Sequence, residues 1–561
     1  MLRWPRALDA WLPLLAAAPA LFVSLGDAPL QRAEIYFLDA ARGMLESGDW
    51  LVPRHRGEPF FDKPALSYWL MAAAMRVLGI APGSARLVSV LAAFGTLLAV
   101  FWVGQQLFGR RAAACGALVL AATPAFLGFG RLAMSDMLLA LWSTLAVGLG
   151  LRSLRPPRPW WAVPLLGAVL GLGFLTKGPI ALLLPGIALL LLVRLHGFRI
   201  GLRRGALALA LALFALIGLG WFGLVLARLG SEPLAYFFLH ENLARFSGQA
   251  YHSGRGPLYY LASYAFLGLP WAPLLLLAAF RLRHESGARV LLFWLLSMLV
   301  PLSLSRAKLD YYLLPLYPAA ALLIGRWLAD CEWSALERHW LRGALGLLAL
   351  LCVAGPLVLL RLPEEWQPAA PTWQALMLTG ALGAAALAWS MCEPRPRSAL
   401  AVVTAVTLLL ATGFQGWVLP ALWARQPERR VLEEVRREQR PGLRVLACHD
   451  PAHVERELLF HLRLIVVQDC DLAAAARSPQ PTLLLLHDQE DALLQELPAL
   501  RVVSRHDFLP AKTWRFLALG QPVPMRHLTV VANTLATGSE DGQGQQSSDD
   551  APAWITQRLT R

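Results

Sequence analysis

Long apolar stretches alternate with short polar ones along most of the chain. Runs such as 180–193, 206–226 and 343–360 are almost free of charge. A helix needs roughly 20 mostly apolar residues to cross about 30 Å of hydrocarbon. On that measure the pattern predicts about thirteen spans, at 9–26, 86–107, 112–130, 134–151, 160–176, 178–194, 205–227, 258–280, 288–304, 311–328, 342–361, 374–391 and 398–420. Such runs recur too often for the core helices of a large soluble protein. No strand-like alternation in segments of about 10 residues is present, so helices rather than a barrel must do the spanning. The basic start and apolar stretch of the first 25 residues lack a small-residue cleavage site and read as a retained first helix.

Two regions break the pattern. In the loop 27–85, residues 33–45 place apolar side chains at helical spacing beside Glu34, Asp39, Arg42 and Glu46, and 64–78 are rich in Leu, Tyr, Trp, Ala and Met. Both read as amphipathic helices lying at the membrane interface. Beyond residue 425 short strand-like runs at 444–447, 464–467, 482–486 and 500–503 alternate with helical segments at 429–440, 454–462 and 492–497, the signature of a small α/β domain. The expected organisation is a membrane domain 1–424, an α/β domain 425–530 and a polar, low-complexity, disordered tail 531–561.

Composition agrees: 57% of residues are hydrophobic and 16% charged, against about 25% charged in a soluble chain. The net charge of +14 does not call for nucleic acid. Arginines gather in alternate loops, among them Arg3 and Arg6, Arg110 and Arg111, Arg152, Arg155 and Arg158, and Arg194, Arg199, Arg203 and Arg204. The positive-inside rule then puts the amino terminus in the cytoplasm and everything after the last span outside, with anionic lipid as the partner of the basic loops. Six cysteines form no CxxC pair, and Cys448 and Cys470 are equally open to pairing or to standing as free thiols.

This orientation gathers six polar segments on the outer side: 33–50, 58–70, the stretch GFGRLAMSD ending at Asp136, FLTKGP with Lys177, 236–260, and 305–318. Ionisable groups at membrane depth tend to mark function. Acids here can orient or deprotonate an acceptor. Lys63, Lys177, Arg245 and Lys308 can neutralise a phosphate, and Tyr68, Trp69, Tyr259 and Tyr260 can stack on a sugar or prenyl chain or form an interfacial belt. His240, next to Glu241, with Asp62 in another loop is a weak metal-binding pattern.

AARGMLESGDWLVP, EPFFDKP, SARL, FLTKGP, HENLARF and KLDYYLLPLYP, in this order, resemble the bacterial 4-amino-4-deoxy-L-arabinose lipid A transferases and the related protein O-mannosyltransferases. Both are GT-C membrane glycosyltransferases, and the resemblance covers roughly residues 10–330. It implies an all-α polytopic fold at the bacterial inner membrane and a periplasmic active site. It also implies inverting transfer from a polyprenyl-phosphate sugar to lipid A, another envelope glycan or protein. By that resemblance Glu34, Asp39 and Asp136 are the catalytic acids, Lys63 and Arg245 belong to the donor-phosphate site, and Asp62 shares a divalent metal with His240. Ala33 stands where the family has an Asp, so Glu34 inherits the task of acceptor base, unless the acceptor is a phosphate that needs none. A lipid-linked sugar transporter and a noncatalytic envelope assembly protein are the competing classes. Paired inverted repeats, the mark of the first, are not visible.

Overall fold

The computed structural model describes residues 8–196, 203–249, 251, 253–329, 333–360, 370–392, 396–424, 430–433, 443–448, 465–467, 474–475, 477–487, 500–508 and 526–533. The chain divides into two compact units, the first running to residue 426.

The first unit is helical. Among the described residues eight helices are long and apolar enough to cross a bilayer: Pro82–Phe108, Asp136–Leu154, Arg204–Leu229, Ser286–Leu304, Asp310–Ala329, Ala335–Val358, Ala370–Cys392 and Ser398–Ala421. A ninth span arises if Tyr259–Leu267 and Ala272–Leu282 are taken together across their 108° bend. The chain is a multi-pass membrane protein. Each of the thirteen predicted segments overlaps helix, but some differ from expectation. The first covers only Leu8–Phe22 and the fifth only Ala162–Lys177, while Ile180–His196 keeps the predicted 17 residues two positions later. The segment predicted at 112–130 is two helices, Arg110–Ala121 and Pro124–Phe129, with Pro124 starting the second, as its missing N–H favours.

Packing and exposure follow membrane logic. Gly116 and Gly325 let two helices approach so closely that a Cβ on Gly325 would lie 2.2 Å from the Gly116 nitrogen, the small-residue contact that brings membrane helices together. Leu211, Leu216, Leu224, Leu276 and Phe280 are each at least 60% exposed, an apolar coat that suits hydrocarbon rather than water.

The expected amphipathic helices are Arg32–Ser47 and Leu66–Leu78. The first buries Ile35, Phe37, Leu38, Ala41 and Met44. Gly48, at φ 69°, ends it in the left-handed conformation that glycine adopts freely. Between the helices a two-residue hairpin pairs Arg54 with Pro59 and His55 with Glu58, and then delivers Asp62 and Lys63.

The second unit contains a mixed sheet in the order Ile465–Val467, Arg444–Cys448, Thr482–His487, Arg526–Asn533, Leu500–Phe508. The first three strands are parallel and the last two pairings antiparallel. Leu483, Leu484, Leu485, Val530 and Val531 are buried on it. The strand at 500–508 outruns the predicted 500–503, and Arg526–Asn533 is a strand that the apolar pattern did not predict. Its last residues occupy the start of the segment 531–561 expected as a tail, which corrects that boundary. The rest of that segment, the helices expected at 454–462 and 492–497, and Cys470 lie outside the described residues. Of the helix expected at 429–440 only 430–433 are described.

Candidate active site

Two cavities in the first unit share a charged waist. The smaller, about 120 Å³, has mainly apolar walls that include Leu139, Ile180, Leu184, Phe237, Phe246 and Leu302. The larger, about 630 Å³, is walled by aromatics, among them Tyr36, Phe37, Phe60, Tyr68, Tyr236, Tyr251 and Tyr311. Asp62, Lys63, Lys177, Glu241, Arg245 and Tyr312 line both.

Local backbone logic places these charges. Asp136 is the first residue of Asp136–Leu154 and Lys177 the last of Ala162–Lys177, so each charge complements the helix dipole at its own end. Their side chains meet, Lys177 Nζ to Asp136 Oδ1 at 2.5 Å, and the ammonium also lies 4.6 Å from the Tyr312 ring centroid. Gly178, at φ 70°, turns the chain directly after Lys177. A Cβ there would come within 2.5 Å of the Phe237 ring. Lys63 precedes Pro64, which disfavours helix at that position and keeps the Asp62–Lys63 pair in the loop before the Leu66–Leu78 helix.

Glu241 and Arg245 come from an unusual element. Residues Tyr236–Ala244 form a π-helix, followed by one turn of α-helix at Arg245–Ser247; π turns are rare and often mark functional sites. Glu241 Oε2 accepts from Arg245 Nη1 at 2.8 Å and from Lys63 Nζ at 3.3 Å. Lys63 Nζ also donates to the Asp62 carbonyl at 2.8 Å. Burial lowers the Lys63 pKa below its ordinary value, and Asp62 and Glu241 only partly offset this. Burial raises that of Asp62, helped by the negative charge of Glu241 against the pull of Lys63 and Arg245.

Of the residues singled out from the sequence, Asp62, Lys63, Asp136, Lys177 and Arg245 meet at these cavities. Glu34 does not. It is fully buried, and Arg86 grips it through Nε to Oε1 at 2.9 Å and Nη2 to Oε2 at 3.0 Å. The backbone N–H groups of Ala133 and Gln31 each donate to it at 2.8 Å. A carboxylate offers about four acceptor sites, and all four are taken, so no lone pair remains for an acceptor's proton.

Asp39 is likewise turned away. It holds the hairpin through Arg42, the Arg56 N–H at 2.7 Å and His55 Nδ1 at 2.9 Å. Burial pushes its pKa up, but these partners outweigh it and leave the net value below the ordinary 3.8. Lys308 is buried and donates to the Ser305 carbonyl, and it is not among the residues lining either cavity.

His240 stands beside the site rather than in it. Its side chain is 51% exposed, stacks on Tyr236 at 4.8 Å and approaches Glu241 Oε1 at 3.5 Å. Asp62 reaches Tyr236, whose hydroxyl donates to it at 3.4 Å. The expected Asp62–His240 metal pair is therefore bridged by a tyrosine ring. Among the described residues no three His, Cys, Asp or Glu side chains gather as a ligand set.

Glu241 was visible in the sequence only as a neighbour of His240. Its i,i+4 spacing to Arg245 was the available signal. The cavity tyrosines 236, 251, 311 and 312 lie inside segments noted as polar and aromatic without being singled out.

This architecture has close counterparts. Over 95% of this chain and 99% of the other, it superposes with a TM-score of 0.74, at 23% identity, on the crystal structure of ArnT from Cupriavidus metallidurans bound to undecaprenyl phosphate. The chain has the fold of ArnT, a GT-C-type membrane fold. The apo form of the same protein matches equally, with a TM-score of 0.73 over 95% of this chain and 100% of the other at 22% identity. Residues 62–221 match the family dolichyl-phosphate-mannose-protein mannosyltransferase. The chain is 34% identical over 345 residues to undecaprenyl phosphate-alpha-4-amino-4-deoxy-L-arabinose arabinosyl transferase 1 of Sodalis glossinidius, covering 58% of this chain and 60% of that one. It is also 34% identical over 374 residues to the arabinosyl transferase of that name from Pseudomonas paraeruginosa, covering 63% and 66%. The chain thus spans somewhat under two thirds of the curated relatives it matches. In sequence and in fold it is ArnT-like.

Proposed function

We propose that this protein is a membrane glycosyltransferase that moves a sugar from a polyprenyl-phosphate donor to a lipid or protein acceptor on the outer face of the bacterial inner membrane. The observation that carries this reading is the waist where Lys63 and Arg245 converge between an apolar cavity and an aromatic one. Two cations beside an apolar space suit a phosphate on a prenyl chain, and aromatic walls suit a sugar ring. The names of the relatives, undecaprenyl phosphate aminoarabinose arabinosyl transferases, support undecaprenyl phosphate as the carrier and a pentose as the cargo. The arginine-rich loops support a cytoplasmic amino terminus, which makes the cavities and the unit after the spans periplasmic.

In this reading the acceptor oxygen attacks the anomeric carbon from the face opposite the lipid phosphate. The bond from that carbon to the phosphate oxygen breaks, its electron pair leaves with the lipid phosphate, and configuration inverts. Lys63 and Arg245 act where charge develops on the leaving group. Glu34 is saturated by hydrogen bonds and Ala33 has no acid, so the Arg32–Ser47 helix brings no base to the cavity. This favours an acceptor that is already ionised, such as a phosphate. No step is routed through a metal.

Membranes containing the protein, incubated with labelled polyprenyl-phosphate sugar, should transfer label to an acceptor and release lipid phosphate. Lys63→Ala and Arg245→Ala should each abolish most of this transfer. Full activity in both variants would remove the phosphate-site assignment, and translocation of the lipid without transfer would replace the enzyme by a carrier.

A further inference from the structure

The waist already holds an anion of its own. Glu241 is 7% exposed at its side chain, and one of its oxygens is shared between the two cations assigned to the donor phosphate, at 2.8 Å from Arg245 Nη1 and 3.3 Å from Lys63 Nζ. It lines both cavities, so a phosphate that enters between Lys63 and Arg245 meets this carboxylate directly. We propose that Glu241 is a resident counter-anion: it keeps the place of the donor phosphate between Lys63 and Arg245 until the lipid binds, and returns to it to expel the spent lipid phosphate. This inference rests on the reading of Lys63 and Arg245 as the donor-phosphate site.

Three physical arguments support it. Two cations at a low-dielectric waist repel each other and lose hydration, and Glu241 offsets this with one oxygen that bonds both of them. A phosphate placed beside a carboxylate suffers like-charge repulsion, so the two anions compete for the same N–H groups and cannot both keep them. The competitor also has somewhere to go. Glu241 Oε1 already lies 3.5 Å from His240 Nδ1, and the half-exposed His240 ring has room to follow it.

The effect on catalysis is on release. After transfer the lipid phosphate keeps the full charge of a leaving group, and two cations opposed by Asp62 alone would retain it. A built-in competitor weakens ground-state binding of both donor and product, which favours turnover at the expense of affinity. Glu241 is in this sense a positioning residue for the cations and a competitor of the ligand.

The test uses the full-length protein in nanodiscs and undecaprenyl phosphate as the probe. Glu241→Gln keeps the shape and removes the charge. It should lower the Kd for undecaprenyl phosphate by about tenfold and reduce multiple-turnover kcat relative to the single-turnover rate. Glu241→Asp, a second variant whose shorter side chain draws the charge back from the cations, should tighten binding in the same direction by less. Unchanged or weaker binding in these variants, with the wild type binding normally, would overturn the inference and leave Glu241 as a simple tether. Failure of the wild type itself to bind undecaprenyl phosphate would overturn the donor-site reading, and the inference with it.

Discussion

The first unit contains two buried assemblies built from the same chemistry. One is Glu34 with Arg86, the other Glu241 with Lys63 and Arg245. In the first, every site is filled. The N–H groups of the Arg86 guanidinium go to both Glu34 oxygens and to the carbonyls of Leu25, Ala28 and Pro29 at 2.8–3.1 Å. The pair is 1% and 0% exposed. In the second, Lys63 and Arg245 remain 16% and 28% exposed and face cavities on two sides. An arginine–carboxylate pair is thus a clamp when its donors are exhausted and stays open to a ligand when they are not. Residue type does not separate the two.

The sharpest way to break this comparison is to remove Arg86. Arg86→Ala leaves Glu34 buried without its counter-ion and should cost about 3–5 kcal/mol of stability, read as a large drop in the unfolding temperature in detergent, while whatever protein folds keeps its transfer activity. An unshifted transition would mean that the saturated pair is not a clamp. Next in size, Arg245→Ala should leave the unfolding temperature close to that of the wild type but lower transfer per folded molecule by about 10²–10³. A large fall in stability instead would erase the distinction between the assemblies.

Two carboxylates, Asp62 at the second assembly and Asp39 at the hairpin, sharpen the contrast through pH. The folded pKa of Asp62 is raised above 3.8, chiefly by burial and then by Glu241, so its ionisation subtracts stability as pH rises from the unfolded value through the folded one. Asp62→Asn should therefore raise the unfolding temperature at neutral pH and have no effect below about pH 4. Asp39 is the opposite case. Its folded pKa lies below 3.8 because its donors outweigh burial, so its contribution is complete above 3.8 and is lost as pH falls through the folded value. The stability difference between wild type and Asp39→Asn should shrink over that acid window. Smallest of all, the Arg228–Asp49 pair has its arginine 57% exposed, and Arg228→Ala should change stability by less than about 1 kcal/mol.

What the sequence made legible was governed by locality. Spans are read from runs of apolar residues, and Asp136 and Lys177, which line the aromatic cavity, each end such a run. The Asp62–Lys63 pair and Arg245, which line both cavities, sit in polar islands on one side of the predicted topology. The burial of Glu34 against Arg86 is not legible in the sequence because the two lie 52 residues apart, with Arg86 on Pro82–Phe108, and an arginine at the start of a predicted span looks like an interfacial anchor. The place of Lys308 outside the two cavities is not legible because its ammonium bonds a backbone carbonyl three residues back, a contact with no sequence signature. The 108° bend between Tyr259–Leu267 and Ala272–Leu282 does have one, in Gly268 and Pro270, but hydropathy averages over it. The strand Arg526–Asn533 was missed because its partners lie some 20 to 50 residues earlier.

The π-helical stretch Tyr236–Ala244 makes the length of the chain part of the chemistry. The Arg245 N–H reaches back five residues to the His240 carbonyl, a wider turn than the four-residue step of an α-helix. One residue fewer would let this stretch settle into the commoner helix with every side-chain type retained. The residues after it would then swing by about 100°, carrying Arg245 away from Lys63. Insertions and deletions, which a surface loop absorbs, would act here like the loss of a charge. Among homologues the spacing from residue 236 to residue 245 should therefore drift less than the letters that fill it.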